Sequence, residues 1–386
     1  MHLIQEIVDQ YPRLVQWRHD FHRHPELCHE EKRTAARVAQ LLRSFGIGEV
    51  IEDVGTTGVV GVLHAGDGPV VALRADMDAL PVAEAGVHDH RSLTPDVCHA
   101  CGHDGHMVML LGAAQYLASR TDLFHGTVLF VFQPAEEVAT GAVAMLDAGI
   151  LAKYGVQSAY ALHTYPGLAT GKIGVSPGTV LASVNSFTIR LTGVSGHAGF
   201  PHVCTDPIAA SAAVVNALQT IASQGVDPLD SVVLAVTGCR SSSHTHNVVP
   251  ETVELKGTVR YLDAEYGDLL PKKVRAIVAG VATGYGVHAE IDYVKGTPPL
   301  ANTERETELA RRVAGELLGD ENVVPMTPAM VGEDFAFFLE RVPGALAFIG
   351  NGEDSVALHN PSFDFNDAAL PVGASYFSRL VQTVLS

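Results

Sequence analysis

The run Thr127-Val-Leu-Phe-Val-Phe132 is the part of this chain that most constrains its fold. It is apolar after its first residue and only as long as a strand, which is the pattern of a strand covered on both faces of a parallel sheet. Strands alternating with helices predict an α/β fold, a mixed, largely parallel sheet with helices on both faces. Further short strands of this sheet are predicted at 59–63, 70–74, 158–162 and 344–350.

The pattern changes near residue 184, where runs with polar and apolar side chains in alternation replace the continuously apolar ones. Such alternation predicts strands with one exposed face. Together with two helical segments, these strands give the order β-α-β-β-α-β, which is typical of a ferredoxin-like α+β domain. We therefore predict that residues 184–295 form a small inserted domain, and that residues 1–183 and 296–386 form one discontinuous larger domain. The predicted elements of the insert lie at 185–192, 207–224, 231–237, 252–261, 266–283 and 288–295.

Helical periodicity accounts for much of the remaining chain. Residues 3–45 predict two helices, of which the first ends before Pro25 and the second runs from Glu30 to Phe45. The first ten residues contain no basic segment ahead of a long apolar stretch, so they predict an amphipathic helix rather than a secretory signal. Three more helices are predicted at 104–119, 304–318 and 370–385.

Chemically reactive side chains follow several of the predicted strands. In open α/β sheets, ligands bind beyond the carboxyl ends of the strands, so loops from neighbouring strands can build one shared site. The candidates at such positions are Asp76 and Asp78, Glu136 and Glu137, His163, and His359.

The segment 96–106 packs two thiols and three imidazoles into eleven residues. Cysteine and histidine are the side chains that hold transition metals. The pair Cys98 and Cys101 also fits half of a zinc knuckle or a redox pair, although a zinc ribbon needs a second such pair and the chain has none. Glu136 and Glu137 add two adjacent carboxylates, which suit one general base and one metal ligand. Together these features indicate metal-assisted hydrolysis.

The other cysteines and histidines have simpler interpretations. Cys28, Cys204 and Cys239 are expected to be buried as small apolar side chains. The chain has five cysteines, an odd number that argues against a disulfide framework. Surface or structural roles are expected for His19, His22, His24, His244 and His246.

The charge of the chain excludes some partners. The formal net charge is −18, whereas a nucleic acid or an anionic membrane needs a basic surface. No apolar stretch is long enough to span a bilayer, so neither nucleic acid nor membrane is a predicted partner. The cytoplasm is the predicted location.

Seven motifs then follow one another over nearly the whole chain. With them the chain resembles the dinuclear-metal aminoacylase and carboxypeptidase family, in the branch that holds hippurate hydrolase and auxin-conjugate amidohydrolases. The motifs are His22-Arg-His-Pro-Glu-Leu27, Leu73-Arg-Ala-Asp-Met-Asp-Ala-Leu-Pro81, His99-Ala-Cys-Gly-His-Asp-Gly-His106, Gln133-Pro-Ala-Glu-Glu137, Gly196-His-Ala-Gly-Phe-Pro-His202, Gly332-Glu-Asp-Phe335 and Leu358-His-Asn-Pro-Ser-Phe-Asp-Phe365.

The resemblance implies a zinc-peptidase-like fold and two divalent metal ions per chain, with manganese or zinc expected first and cobalt or nickel as further candidates. It implies Glu136 as the catalytic base, and Asp76 is our candidate for orienting a ligand histidine from outside the ligand set. The implied metal ligands are Cys101, His103, Glu137, His163 and His359.

For the inserted domain, the resemblance implies a lid and a dimerisation module, so a homodimer or a higher homo-oligomer is expected. His197 is expected to stabilise the oxyanion of the transition state. Asn247 and Arg260 are expected to hold the α-carboxylate of the substrate, which suits the fork of a guanidinium group.

Three departures from the family pattern concern the loops near the metals. The loop 84–97 is unusually rich in histidine and aspartate, and Cys98 stands where methionine is common. His163-Thr-Tyr-Pro replaces the frequent His-Asn-x-Pro. The implied ligands are intact, so the departures bear on which substrate is accepted.

The leading hypothesis is a metal-dependent amidohydrolase that cleaves N-acetyl or N-benzoyl amino acids to a carboxylic acid and a free amino acid. A dipeptidase or carboxypeptidase of the same family is the alternative. A non-catalytic metal-binding or peptide-binding protein would need no carboxylate beyond its ligands, and Glu136 argues against it. A thiol oxidoreductase that uses Cys98 and Cys101 is the remaining hypothesis.

Overall fold

The structure is a computed structural model that describes residues 1–386. The chain divides into two compact units. The larger unit contains Met1–Gly178, Ala301–Thr327 and Asp334–Ser386, and the smaller unit contains Thr179–Leu300 and Pro328–Glu333.

The helices of the chain are α1 (Gln5–Val8), α2 (Tyr11–Arg23), α3 (Lys32–Ser44), α4 (His103–Ser119), α5 (Gly141–Asp147), α6 (Ile150–Tyr154), α7 (Pro207–Gln224), α8 (Tyr266–Tyr285), α9 (Glu304–Leu318), α10 (Ala336–Leu339) and α11 (Leu370–Val384).

The strands are β1 (Glu49–Val54), β2 (Gly58–Ala65), β3 (Val70–Asp76), β4 (Gly126–Gln133), β5 (Ser158–Pro166), β6 (Ile173–Gly174), β7 (Gly178–Leu181), β8 (Ser183–Thr192), β9 (Gly196–His197), β10 (Val232–Ser241), β11 (Val248–Val249), β12 (Thr252–Tyr261), β13 (His288–Thr297), β14 (Leu300–Asn302), β15 (Val323–Val324) and β16 (Gly344–Gly352).

An eight-stranded sheet, in the order β1-β2-β4-β3-β5-β16-β6-β15, forms the centre of the larger unit. Strands β4, β3, β5 and β16 pair in parallel, whereas β1, β2 and β6 introduce antiparallel pairs. Both faces of β3 are covered, because Val71 and Leu73 lie in the main apolar core while Ala72 and Arg74 on the opposite face are also buried. The predicted α/β fold with a mixed, largely parallel sheet is confirmed.

Helix α4 is the central helix of this unit. Fourteen of its 17 residues are buried, so it is apolar around its circumference rather than along one stripe. It packs against α2, α11 and β3. A helix held on all sides is a rigid support for whatever its first turn carries.

The smaller unit has an antiparallel sheet in the order β10-β12-β8-β13, and α7 and α8 pack with it. Along β12, inward residues such as Val253, Leu255 and Val259 are buried and belong to the unit's own apolar core. The predicted β-α-β-β-α-β order of the insert is confirmed.

The N-terminal region differs from its prediction. Residues 3–45 form three helices rather than two, because the helical conformation is interrupted between α1 and α2. Pro12 then occupies the first turn of α2. Strand β1 was not predicted, since its charged residues Glu49, Glu52 and Asp53 hide the apolar pattern of a strand at the edge of the sheet. Among the helices, none combines the length and the apolarity that crossing a membrane requires.

Candidate metal centre

Four neighbouring strands of the large sheet carry the candidate residues to one edge. Asp76 ends β3, Glu136 and Glu137 lie just past β4, and His163 lies near the end of β5. His359 lies in the loop that follows β16, the strand next to β5. Because these strands are parallel, their carboxyl ends meet at the same edge.

Unusual backbone conformations shape the segments that carry these side chains. Gly102, with φ of +82°, precedes α4, and a Cβ atom there would lie 2.8 Å from Cγ2 of Thr164, so glycine allows Cys101 and His103 to approach β5. Ala135 has φ of +51° and turns the chain just before Glu136. His359 has φ of +64°, and its amide N–H donates to the carbonyl oxygen of Ala100 at 2.8 Å.

The side chains implied as metal ligands lie together. Nε2 of His103 is 3.9 Å from Oε1 of Glu137, and Nε2 of His359 is 3.4 Å from Oε2 of Glu137. Sγ of Cys101 is 3.6 Å from Nε2 of His163. Glu137 therefore stands between His103 and His359, with one carboxylate oxygen toward each ring.

Glu136 lies at the same cluster. One of its carboxylate oxygens is 3.9 Å from Nε2 of His103, and its side chain is only 10% exposed. One ligand atom each from His103, Glu136 and Glu137 fall within 4.8 Å of one another, as do those of Cys101, Glu137 and His359. The carboxylates of Glu136 and Glu137 therefore lie in the same cluster, beside His103.

The donor set fits transition-metal ions. Nε2 of His103, Oε1 of Glu137 and Oδ1 of Asp78 are buried without a hydrogen-bond partner, which is costly unless another group compensates them. Thiolate, imidazole and carboxylate donors of this kind hold zinc and its neighbours in the first transition series. The residues present therefore fit the metal ions that the sequence implies.

The electrostatics of these side chains point the same way. Burial raises the pKa of Glu137 to about 7, although His103 opposes the shift, and burial raises the pKa of the Cys101 thiol well above its ordinary value. Burial and the neighbouring His106 lower the pKa of His163 to about 3, so its imidazole is neutral and has a lone pair to offer. A cation would compensate the buried acidic groups.

Asp78 and Asp76 both lie beside His103, one at each nitrogen of its ring. Nδ1 of His103 donates to the backbone carbonyl oxygen of Asp78 at 2.9 Å. The carboxylate oxygen Oδ1 of Asp78 is 3.3 Å from the same nitrogen. Oδ2 of Asp78 also accepts the amide N–H of Glu137 at 3.0 Å. Oδ1 of Asp76 is 2.7 Å from Nδ1 of His106, and Oδ2 of Asp76 is 3.8 Å from Nε2 of His103, so Asp78 is the better placed of the two to orient His103.

His106 was not predicted as part of the site. Its Nε2 accepts the amide N–H of Thr164 at 2.8 Å, and its ring lies edge-on to that of His163 with centroids 4.6 Å apart. It positions the end of β5 for His163. Its place one turn after His103, at a spacing that puts both on one face of α4, was a signal in the sequence.

Asp78→Asn is expected to weaken metal binding about 10–100-fold, because it removes the negative charge 3.3 Å from Nδ1 of His103 and leaves a weaker acceptor for the backbone N–H of Glu137. Competition with a chelator of known affinity, followed by metal analysis of the desalted protein, measures this change. Asp67→Asn is the control, because Asp67 lies in the exposed turn between β2 and β3. Equal metal affinity in the two variants would contradict the role of Asp78.

The residues expected to bind substrate lie in the smaller unit. His197 is exposed on β9, which pairs with β11, and its Nδ1 accepts the amide N–H of Gly199 at 2.9 Å. Its Nε2 is therefore the ring nitrogen that carries the proton and can donate it to an oxyanion.

The other two residues expected to bind substrate are held through hydrogen bonds to the backbone. Asn247 is exposed, and its backbone carbonyl oxygen accepts the amide N–H of Ala198 at 2.9 Å. Arg260, on β12, is half-buried and donates through Nη1 to the carbonyl oxygen of Met330 at 2.6 Å.

The expectation about the other cysteines was wrong. Cys28 and Cys204 are only partly buried and Cys239 is exposed, so they are not core side chains. His22, for which a surface or structural role was expected, is buried with 1% of its surface exposed and contacts Asp104, so its position fits the structural role.

The chain is similar to known proteins over nearly its whole length. The model of peptidase family M20/M25/M40 matches residues 72–383. The hippurate hydrolase of Campylobacter jejuni is 40% identical over 382 residues, 98% of each chain, and the N-acetylcysteine deacetylase of Bacillus subtilis is 36% identical over 377 residues, 97% of each chain. A solved structure, the YXEP protein of Bacillus subtilis described as a dinuclear metal binding peptidase from the M20 family, matches with a TM-score of 0.84 and 34% identity, over 97% of this chain and 98% of that one.

Proposed function

The chain belongs to peptidase family M20/M25/M40, and we propose that it is a metal-dependent amidohydrolase that cleaves N-acyl amino acids to a carboxylic acid and a free amino acid. The observation that carries the proposal is the placement of Glu136 beside Glu137 at one cluster with Cys101 and His103. A site built only to store metal would need no carboxylate beyond its ligands.

Two divalent metal ions per chain complete the site, with Cys101, His103, Glu137, His163 and His359 as the proposed ligands. When bound, such ions polarise a carbonyl group and lower the pKa of water to about 7. Manganese and zinc are the ions proposed first, since mixed thiolate, imidazole and carboxylate donors do not by themselves select between them.

Glu136 acts in this proposal as the proton carrier. Its carboxylate takes a proton from the attacking water and passes it to the nitrogen of the leaving amine, which breaks the amide bond. The adjacent Glu137 is held by Asp78 through its backbone N–H, so the two neighbouring side chains have separate tasks.

His197, Asn247 and Arg260 complete the proposal from the smaller unit. His197 donates from Nε2 to the oxyanion that forms at the attacked carbonyl. Arg260 and Asn247 hold the free carboxylate of the amino-acid part. The lid role of this unit, a homodimeric state and a cytoplasmic location belong to the same proposal.

A substrate panel tests the proposed function. The metal-loaded enzyme is expected to release amine faster from N-acetyl or N-benzoyl amino acids than from dipeptides with the same C-terminal residue. Amine release is followed with an amine-reactive dye, with chelator-treated enzyme as the blank. Faster release from every dipeptide would favour the dipeptidase alternative, and no release from either class would contradict the amidohydrolase function.

A further inference from the structure

A second group of metal-binding side chains lies in the larger unit and shares no residue with the centre described above. We call it the histidine cluster and define it as His22, His88, His90, Glu84 and Asp364. One ligand atom each from His22, His88, His90 and Asp364 fall within 4.8 Å of one another. These residues come from α2, from the irregular loop 82–97 and from the segment after β16, so the fold brings together three distant parts of the chain.

The imidazole rings of the histidine cluster are packed against one another. The ring of His90 stacks on those of His88 and His19, with centroids 3.8 Å and 3.9 Å apart. The ring of His22 meets the ring of His90 edge-on, at 86° and 5.2 Å. Imidazoles gathered in this way would repel one another if each were a cation protonated at both nitrogens. Neutral imidazoles, which are protonated at one nitrogen, present the lone pair of the other to a metal ion.

Carboxylates lie against the ring nitrogens of the cluster. Nε2 of His90 is 3.1 Å from both carboxylate oxygens of Asp364, and Nε2 of His22 is 3.1 Å from Oε1 of Glu84. Nε2 of His88 is 2.8 Å from the same Oε1, yet both ring nitrogens of His88 are buried without a hydrogen bond. Nε2 of His88 and Oε1 of Glu84 are thus close together without forming a hydrogen bond. Two ligand atoms of one metal ion have the same relation.

His22 has the arrangement typical of a metal-binding histidine. Its Nδ1 is 2.7 Å from Oδ2 of Asp104, and both side chains are buried. In histidines that bind a metal ion through one ring nitrogen, the other ring nitrogen almost always donates to a carboxylate, a carbonyl group or water in this way. Nε2 of His22 is left to face Glu84 and the rest of the cluster.

From these contacts we propose that the histidine cluster binds a third divalent transition-metal ion, with His22, His88, His90 and Asp364 as its ligands and Glu84 as a further carboxylate at the same ion. Three imidazoles and a carboxylate form a donor set that zinc, cobalt and nickel accept. Ligand atoms of a tetrahedral ion with bonds of about 2.0–2.1 Å lie about 3.4 Å apart. The ligand atoms, which lie within 4.8 Å of one another, therefore have to approach by up to about 1.4 Å.

The loop that carries His88 and His90 is suited to that contraction. Residues 82–97 contain neither helix nor strand, and loops of this length without secondary structure generally have a function in compact domains. The hydrogen bonds between Leu80 and Cys98, at 3.0 and 3.1 Å, close the loop at its base. A cavity of about 630 Å³, lined by Arg18, His19, His90 and Asp364 among others, gives an ion a way in.

The competing interpretation is a network of ion pairs without a metal. Burial alone would lower the pKa of His22, but Asp104 and Glu84 outweigh it and raise that pKa to about 9. Nη1 of Arg18 is also 2.7 Å from Oδ1 of Asp364, and it supplies positive charge at one side of the cluster. A metal count distinguishes the two interpretations, because a network of ion pairs holds no metal ion.

Metal counting on the full-length protein tests the proposal. Protein saturated with Zn²⁺, desalted and analysed by mass spectrometry of the elements is expected to hold three ions per chain. The double variant His88→Phe with His90→Phe keeps aromatic rings in the stack and is expected to hold two. A count of two in both proteins, or of three in both, would overturn the proposal, and circular dichroism establishes that the double variant is folded.

The 19 histidines of the chain call for a matched control. His244→Ala with His246→Ala removes an exposed pair from the smaller unit and is expected to leave the count at three. Loss of the third ion in this variant alone would place that ion outside the histidine cluster. As a second measurement, the third equivalent of Zn²⁺ should slow proteolysis of the loop 82–97 in the native protein and not in the His88, His90 double variant; equal cleavage with two and three equivalents in the native protein would contradict the proposal.

Discussion

Glu136→Gln is expected to lower kcat by about 10²–10⁴-fold while the metal content of the protein stays unchanged. The amide has nearly the shape of the carboxylate but cannot accept a proton from water or return one to the leaving amine. Glu137, which contacts His103 and His359, is untouched by the substitution. Amine release from an N-acyl amino acid at saturating concentration, combined with metal analysis of the same sample, measures both quantities.

Glu353→Gln is the matched control for this substitution, because Glu353 is exposed and lies outside the centre. It is expected to leave kcat unchanged. If Glu136→Gln retains more than a tenth of the native kcat, Glu136 is not the base. If it loses metal as well, its role is that of a ligand.

Arg260→Ala is expected to lower kcat/KM about 10²-fold for substrates with a free carboxylate, and much less for the corresponding carboxamides. Hydrogen bonds to a charged group are each worth about 1.5–3 kcal/mol, and a guanidinium fork can make two of them. The contact between Nη1 and the carbonyl oxygen of Met330 holds the guanidinium in place, so little of this energy is spent on ordering the side chain. Steady-state kinetics on the paired acid and amide substrates give the comparison.

Arg190→Ala removes an exposed arginine from β8, the strand next to β12, and is the control for general changes in charge. It is expected to affect acid and amide substrates equally and weakly. An Arg260→Ala variant with equal losses on both substrate classes would show that Arg260 supports the strand and does not recognise the carboxylate.

Local patterns predicted the fold well where burial sets the pattern. Helices α7 and α9 and strand β12 begin and end where the sequence predicted, because their apolar periodicity is strong and proline, glycine or turn residues flank them. Strand β1 was missed since an exposed edge strand can hold charged residues without losing its hydrogen bonds. The break before α2 depends on Pro12, whose effect on a helix differs between its first turn and its interior.

For the centre, the sequence predicted which residue types would gather but not which of them would touch. The alternation of strands and helices placed Glu136, His163 and His359 at one edge of the sheet. The choice between Asp76 and Asp78 could not be made, because both lie at the end of β3 and their side chains have the same chemistry. Only the distances to Nδ1 of His103 separate them. For His22 the sequence could not decide between a surface and a structural role, because its partners are 62 and 82 positions away in the chain.

His359 has a consequence for how the enzyme is made. Four of the five proposed ligands lie between Cys101 and His163, and the fifth is added only after the whole smaller unit has been synthesised. Its backbone is then tied to Ala100 by a hydrogen bond. A nascent chain on the ribosome therefore carries an incomplete centre until His359 emerges, so full metal loading has to wait until the whole smaller unit has been synthesised.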